Sequence, residues 1–220
     1  MRDFKRITLL CGHYGSGKTN VAVNLAFRLR QQNKRVAVAD LDIVNPYFRT
    51  KDSLDSFRDA GIRLICSEYA NTNVDIPALP QDMYAITDDP SLFAVVDVGG
   101  DDRGALALGR IAGLILAEGN YEMLAVINAS RPLTHTPEDT VEVLREIERA
   151  GGMKFTGIVN NTNLGRETDE EVVLHSVPYA EAVSEQMGIP LVLTAVPAEL
   201  FPKLQGKIEN LFPLELQKKL

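Results

Sequence analysis

The stretch GHYGSGKT at residues 12–19 fixes the expected fold of this chain. It matches the pattern G-x-x-x-x-G-K-[ST] in full, directly after the apolar run 7–11 and at the start of a helical pattern over 17–32. A loop between a strand and a helix presents backbone N–H groups and the positive end of the helix dipole to an anion. The sequence therefore predicts a phosphate-binding loop at residues 12–19.

The residues of this loop have separate expected roles. The glycines allow the backbone to wrap around a phosphate group. Lys18 would place its charge at the β- and γ-phosphates as a catalytic group, and the Thr19 hydroxyl would ligate Mg²⁺. The alternative interpretation is a glycine-rich turn without a ligand. The predicted nucleotide contacts here are Gly12, His13, Tyr14, Gly15, Ser16, Gly17, Lys18, Thr19 and Asn20.

Outside the loop, short apolar runs alternate with longer helical patterns. Most runs are continuously apolar, as in strands covered by helices on both faces of a parallel sheet. The order predicts an α/β fold with a doubly wound, mostly parallel sheet and helices on both faces, formed by residues 1–220 as a single nucleotide-binding domain. The predicted strands are 6–11, 35–39, 63–66, 94–98, 123–128, 155–160 and 191–196; the predicted helices are 17–32, 52–60, 103–117, 137–150 and 178–187.

Two carboxylates follow the second predicted strand, in the sequence Asp40-Leu41-Asp42. On an extended chain they point to the same face, at the carboxyl edge where ligands bind in such sheets. One could hold Mg²⁺ through water while the other orients the water that attacks the phosphate, so both are candidate catalytic residues. The alternative interpretation is a solvated strand end, where aspartate is common.

A third acidic position ends the apolar run 93–98. The sequence FAVVDVGG over 93–100 has the Walker B pattern, in which Asp97 would bind the water shell of the metal. Gly99 or Gly100 could then approach the γ-phosphate through its N–H. A plain apolar strand that ends in aspartate is the alternative. Together, Thr19, Asp40 and Asp97 form the predicted metal site.

Residues near two later strand ends could form the base site. Asn160 and Asn161 could pair with adenine, and Pro197 could form a second wall. The guanine-reading sequence N-K-x-D is absent, which favours ATP over GTP. An asparagine-rich turn and a proline turn are the alternatives.

Composition excludes several classes of protein. Apolar residues make up 45% and charged residues 24% of the chain, as in an ordinary globular protein rather than a disordered one. The net charge of −7 disfavours broad nucleic-acid binding. The two cysteines lie in separate runs, and the apolar run near the N-terminus is too short for a signal peptide or a membrane span. We therefore expect a cytoplasmic protein with no membrane or nucleic-acid partner.

Taken together, these motifs resemble the SIMIBI class of P-loop ATPases, and more narrowly the MinD/ParA/CobQ group that includes the nitrogenase iron protein. The order and spacing of residues 12–19, 40–42, 97–100 and 160–161 carry the resemblance. It implies that Asp42 handles the lytic water, that Asp40 is its metal-side partner, and that Asn161 reads adenine. It also implies a dimeric, Mg-ATP-dependent switch that acts on a partner, here unknown.

The loop departs from the family pattern K-G-G-x-G-K-[ST] at one informative position. His13 stands where the family has a signature lysine that reaches into the neighbouring subunit. Histidine is shorter than lysine and carries no permanent charge. Arg49 and Arg103 follow the two acidic motifs and could supply charge instead.

The resulting prediction is a slow Mg-ATPase that alternates between nucleotide states recognised by an unknown protein partner. Two rival functions remain open from the sequence. One is an ATP-dependent small-molecule enzyme, such as a kinase or an amidase-like enzyme. The other is a nucleotide-binding interaction module that does not hydrolyse its ligand.

Overall fold

The computed structural model describes residues 2–41, 51–66, 81–100 and 102–215. The strands in these ranges are β1 Ile7–Cys11, β2 Arg35–Leu41, β3 Arg63–Cys66, β4 Leu92–Val98, β5 Tyr121–Ile127, β6 Gly157–Asn160, β7 Leu191–Pro197 and β8 Leu211–Leu214. They form one sheet in the order β3-β2-β4-β1-β5-β6-β7-β8. Every neighbouring pair is parallel. The loop-bearing strand β1 therefore lies between β4 and β5, near the middle of the sheet.

Helices connect the strands and cover the sheet on both faces. Their bounds are α1 Lys18–Gln31, α2 Lys51–Asp59, α3 Ala85–Asp88, α4 Asp102–Glu118, α5 Pro137–Gly151, α6 Glu170–Met187 and α7 Phe201–Leu204. The start of α5 shows why these segments are helical: Thr136 caps it by accepting a hydrogen bond from the Asp139 N–H, and Pro137 occupies the first turn.

Side chains of each central strand alternate between two buried clusters. In β1, Leu9 packs with α4, α5 and α6 on one face, whereas Leu10 packs with α1 on the other. Both leucines are fully buried. This double coverage explains the continuously apolar runs and confirms the predicted α/β fold. Among the described residues, no helix has the length and apolarity that crossing a bilayer would need.

The structure corrects one predicted helix boundary and adds an edge strand. The predicted helix at 178–187 is wrong at its start, because α6 begins at Glu170 with Asp169 as the cap, and Pro178 lies inside it. Asp169 accepts a hydrogen bond from the Val172 N–H and so satisfies the helix start eight residues earlier. Strand β8 was not predicted; Pro213 is tolerated there because an edge strand can lack one donor.

Candidate nucleotide-binding site

The predicted phosphate-binding loop joins β1 to α1 at the carboxyl edge of the sheet. Gly12 has a φ of 148°, and a Cβ there would lie 2.3 Å from the carbonyl oxygen of Val126 on β5. Gly17, with a φ of 88°, stands at the N-cap of α1. Both positions need glycine, because a larger residue would be strained and would collide with its neighbours. The loop is therefore packed tightly between two strands, with the start of α1 directly behind it.

Lys18 is the positive group of this loop. Although it carries a charge, it is only 5% exposed, and its Nζ donates a hydrogen bond of 3.2 Å to the carbonyl oxygen of His13. The lysine thus folds back over its own loop and holds its ammonium group at the loop mouth. A buried cation whose hydrogen-bond partner among the described residues is a neutral carbonyl is well suited to an anionic ligand.

Gly100, after β4, completes a narrow cradle beside this lysine. A Cβ at Gly100 would lie 2.6 Å from the backbone nitrogen of Tyr14 and 2.8 Å from Nζ of Lys18. Within the described residues, the Oγ of Ser16 is buried and has no hydrogen-bond partner. The Tyr14 backbone amide and the Lys18 ammonium group, which converge on this cradle, are donors that fit a phosphate group.

Three oxygen-bearing side chains meet on the α1 side of the sheet. Thr19 donates a hydrogen bond of 2.6 Å from Oγ1 to Oδ2 of Asp97. Asp40 and Asp97 are buried and lie side by side in register on β2 and β4. Neighbouring buried carboxylates repel each other, so a cation between them would be stabilising. The donor set fits Mg²⁺, which takes one or two carboxylates and completes its shell with water and phosphate oxygens.

The described residues alone do not form a complete metal site. Within the described ranges, no group of three or more histidine, cysteine, aspartate or glutamate side chains could hold a metal ion. Asp42, the other predicted catalytic carboxylate, lies outside the described residues. The described residues would therefore hold a metal together with further ligands, such as water and phosphate oxygens.

Cys11, the last residue of β1, is buried directly before the loop and has an unreactive thiol. Burial raises the pKa of its thiol strongly, and nearby Asp97 raises it further, while Lys18 opposes them. A thiol with a raised pKa stays protonated and is a poor nucleophile. Cys11 therefore acts as a small apolar residue of the core.

The predicted base-site residues have different surroundings. The Asn160 amide is buried, donating to Ser176 Oγ at 2.8 Å and accepting from the Thr162 N–H at 3.2 Å. Asn161 is also buried and donates a hydrogen bond of 2.7 Å to the carbonyl oxygen of Ser16 in the loop. Asn160 thus links β6 to α6, whereas Asn161 braces the phosphate-binding loop. Contact of either residue with adenine stays a prediction.

Two more predicted contacts lie at the edges of the site. Asn20 occupies the first turn of α1 and is half-buried, with its carbonyl oxygen accepting from Asn24 Nδ2. Pro197 is the buried last residue of β7. Their roles toward a nucleotide also stay predictions.

One residue at the loop was not predicted from the sequence. Arg131, after β5, donates a hydrogen bond of 2.8 Å from Nε to the carbonyl oxygen of Gly15. The signal that could have indicated it is the polar stretch NASR at 128–131, which follows an apolar strand. Its importance depends on β5 lying next to β1, which is a matter of strand order.

Comparison of the sequence with known protein families shows which family this chain belongs to. Residues 7–188 match the model of the CobQ/CobB/MinD/ParA nucleotide binding domain. This chain belongs to the CobQ/CobB/MinD/ParA family. The matched range contains the phosphate-binding loop, Asp40, Asp97 and the two asparagines Asn160 and Asn161. The predicted resemblance is therefore confirmed, and the chain is a nucleotide-binding P-loop domain. No curated protein matches its sequence at a significant level.

Solved structures share the fold of this CobQ/CobB/MinD/ParA domain at low sequence identity. Cell division protein FtsY from Thermotoga maritima aligns with a TM-score of 0.61 and 18% identity over 89% of this chain and 62% of its own. FtsY from Elizabethkingia anophelis, solved with GDP, aligns with a TM-score of 0.53 and 15% identity over 89% of this chain and 58% of its own. The chain thus spans about three fifths of these relatives.

A third solved structure extends the comparison to another protein. The Signal Recognition Particle 54 kDa protein from Aeropyrum pernix K1, also in complex with GDP, has a TM-score of 0.53 and 16% identity over 88% of this chain and 42% of its own. At such identities the likeness establishes the fold and does not assign a nucleotide or a partner to this chain.

Proposed function

We propose that this chain is a Mg²⁺-dependent ATPase that forms a nucleotide-dependent homodimer and signals its nucleotide state to a protein partner. The observation that carries the proposal is the cradle in which Lys18 Nζ and the Tyr14 amide converge on Gly100. Thr19 and Asp97 form the adjacent metal-binding side of the same loop. We place the protein in the cytoplasm, in keeping with its few cysteines.

In the proposed hydrolysis, some residues bind the phosphates and the metal, and another orients the attacking water. Lys18 would bind the terminal phosphates and balance the charge that develops on them. Thr19 and Asp97 would hold Mg²⁺ directly or through its waters, with Asp40 beside them. Bound Mg²⁺ supplies charge neutralisation at the phosphate oxygens. Asp42 would accept a hydrogen bond from the attacking water and fix its direction.

The nucleotide preference follows from the base-site residues. We expect the protein to bind Mg-ATP more tightly than Mg-GTP, because N-K-x-D is absent and two asparagines, Asn160 and Asn161, stand at the end of β6. Competition of both nucleotides against a fluorescent ADP analogue measures the ratio. Equal or tighter binding of GTP would contradict the ATP assignment while leaving the phosphate site intact.

A substitution at Asp42 separates binding from chemistry. We expect Asp42→Asn to retain Mg-ATP affinity within about threefold and to lower turnover by about 100-fold or more, since general-base assistance contributes about 10²–10⁴. Phosphate release under single-turnover conditions measures the effect. Glu167→Gln, at an exposed carboxylate after β6, is the matched control and should hydrolyse like the wild type. Full turnover in Asp42→Asn would remove Asp42 from the mechanism.

The same assay tests the proposed function as a whole. Stoichiometric conversion of bound ATP to ADP without added metabolite is the expected result for the wild type. Tight binding with no ADP formed, even at high protein concentration, would indicate a binding module instead. ADP formed only when a metabolite is added would indicate a small-molecule enzyme.

A further inference from the structure

Arg131 lies along the outer face of the phosphate-binding loop. Its Nε is hydrogen-bonded to the carbonyl oxygen of Gly15 at 2.8 Å. A Cβ built on Gly15 would meet Nε, Cδ and Cζ of Arg131 at 3.5, 3.7 and 3.8 Å. Both residues are exposed. The guanidinium group is therefore attached to the loop by one nitrogen and faces solvent at the rim of the site.

The turn that presents Arg131 is held in place by buried polar groups. Asn128 is fully buried; its side-chain oxygen accepts from the Ser130 N–H at 2.9 Å, and its carbonyl oxygen accepts from the Arg131 N–H at 3.2 Å. The same carbonyl accepts from Thr134 Oγ1 at 2.9 Å, and Tyr179 donates to the carbonyl of Thr134 at 2.9 Å. Burial raises the pKa of Tyr179 to about 12, so its hydroxyl remains a donor. The turn is thus pre-organised, which lowers the entropy cost of using the arginine.

The charge of Arg131 is not used within the described part of the chain. The ion pairs formed by these residues do not include it. By contrast, the His13 ring folds back and lies 2.8 Å from the Tyr14 carbonyl oxygen through Nδ1. Tyr14, next to Gly15, is 59% exposed, and Leu133, near Arg131, is 64% exposed. An exposed arginine that forms no ion pair among the described residues is available to contact another molecule, and arginine is enriched at such contacts.

The position of Arg131 separates it from the phosphate cradle of its own chain. Strand β1 lies between β4 and β5 in the sheet. Lys18 Nζ and Gly100 meet on the β4 side of the loop, whereas Arg131 follows β5 and covers the loop from outside. The exposed guanidinium group is therefore accessible to a molecule that covers this rim of the loop.

We propose that Arg131 reaches the phosphates of the nucleotide bound by a second copy of this chain and supplies the positive charge that His13 does not. The inference rests on the proposed ATP-dependent dimer. Guanidinium nitrogens suit this role because two of them can contact phosphate oxygens together while Nε keeps its bond to Gly15. Arg49 and the side chain of Arg103, the two candidates from the sequence, lie outside the described parts of the chain.

Substitution of Arg131 tests the charge. We expect Arg131→Ala and Arg131→Gln to lower turnover equally, by at least about tenfold, because an arginine acting in trans contributes about 10³–10⁵ in rate. Glutamine can still donate to the Gly15 carbonyl, so an activity that glutamine restores would mean that Arg131 only braces the loop. Arg145→Ala, at an exposed arginine of α5, is the matched control and should be unaffected.

Mixing two variants tests action between chains. Arg131→Ala is titrated with Lys18→Ala and, separately, with Asp42→Asn, each of which retains Arg131. Rescue by either donor, up to roughly a quarter of wild-type turnover in an equal mixture, is expected if mixed dimers form at random with one complete site. The double variant Lys18→Ala/Arg131→Ala should give no rescue. Failure of both donors would overturn the proposed action in trans.

A measurement without turnover completes the test. Sedimentation with a non-hydrolysable ATP analogue should show a wild-type dimer that Arg131→Ala weakens by at least about tenfold, because a buried interface charge pair is worth more than about 1.4 kcal/mol. Nucleotide affinity of the monomer should not change. A wild type that does not bind ATP would refute the proposed function itself. A wild type that binds and dimerises, with an Arg131→Ala variant that dimerises equally well, would refute this inference alone.

Discussion

Replacing Lys18 by alanine is expected to abolish tight nucleotide binding. The Kd for Mg-ATP should rise by at least about 100-fold, because losing one member of a buried charge pair costs about 2–5 kcal/mol. Among the described residues, Nζ donates one hydrogen bond, of 3.2 Å, to the His13 carbonyl oxygen, so the fold should persist. Titration with a fluorescent ATP analogue measures the affinity, and thermal unfolding checks the fold.

A second lysine provides the control for this prediction. Lys154 precedes β6, at the end of that strand opposite to the loop, and forms an ion pair of 2.6 Å with the buried Glu148 of α5. Lys154→Ala should therefore bind Mg-ATP like the wild type. If Lys18→Ala also bound Mg-ATP normally, the loop would not be the phosphate site.

Replacing Gly100 by alanine should damage the same site by crowding it. The added methyl group would lie 2.6 Å from the Tyr14 nitrogen and 2.8 Å from Lys18 Nζ, so the loop has to move. We expect turnover to fall by about 100-fold, since displacements of about 1 Å in an active site can cost that much. Steady-state phosphate release and Mg-ATP titration separate the effect on kcat from that on affinity.

Gly113 is the matched glycine for this experiment. It lies in the middle of α4, and a Cβ there would have no atom within 4 Å. Gly113→Ala should keep full turnover and raise the free energy of unfolding by about 0.5–1 kcal/mol, because alanine favours a helix over glycine. Equal turnover in Gly100→Ala and Gly113→Ala would show that the cradle does not hold the reacting phosphate.

The phosphate-binding loop could be predicted from sequence because its backbone geometry restricts residue type. Gly12 and Gly17 have positive φ values, and a side chain at either position would collide with Val126 or Asn161. The glycines of the sequence motif are therefore required by the conformation and packing of the loop. Asp97 was predictable for a similar reason, since it lies near the end of a buried strand, at the edge where ligands bind.

Features that depend on neighbours distant in sequence could not be predicted. Arg131 contacts the loop because β5 pairs with β1. The order of strands in a sheet cannot be predicted from a local sequence pattern. Strand β8 has four residues and a proline, so its propensity is weak and its partner β7 stabilises it. The start of α6 was misplaced because Pro178 resembled a first-turn proline, whereas the capping side chain is Asp169.

Calorimetric titration of the wild-type chain with Mg-ATP, alongside Lys18→Ala, tests the central claim that this loop binds a nucleotide. We expect saturable binding of a single ATP per chain, weaker binding when Mg²⁺ is withdrawn, and no measurable binding by the variant. Absence of saturable binding by the wild type, or identical binding curves for the two proteins, would contradict it.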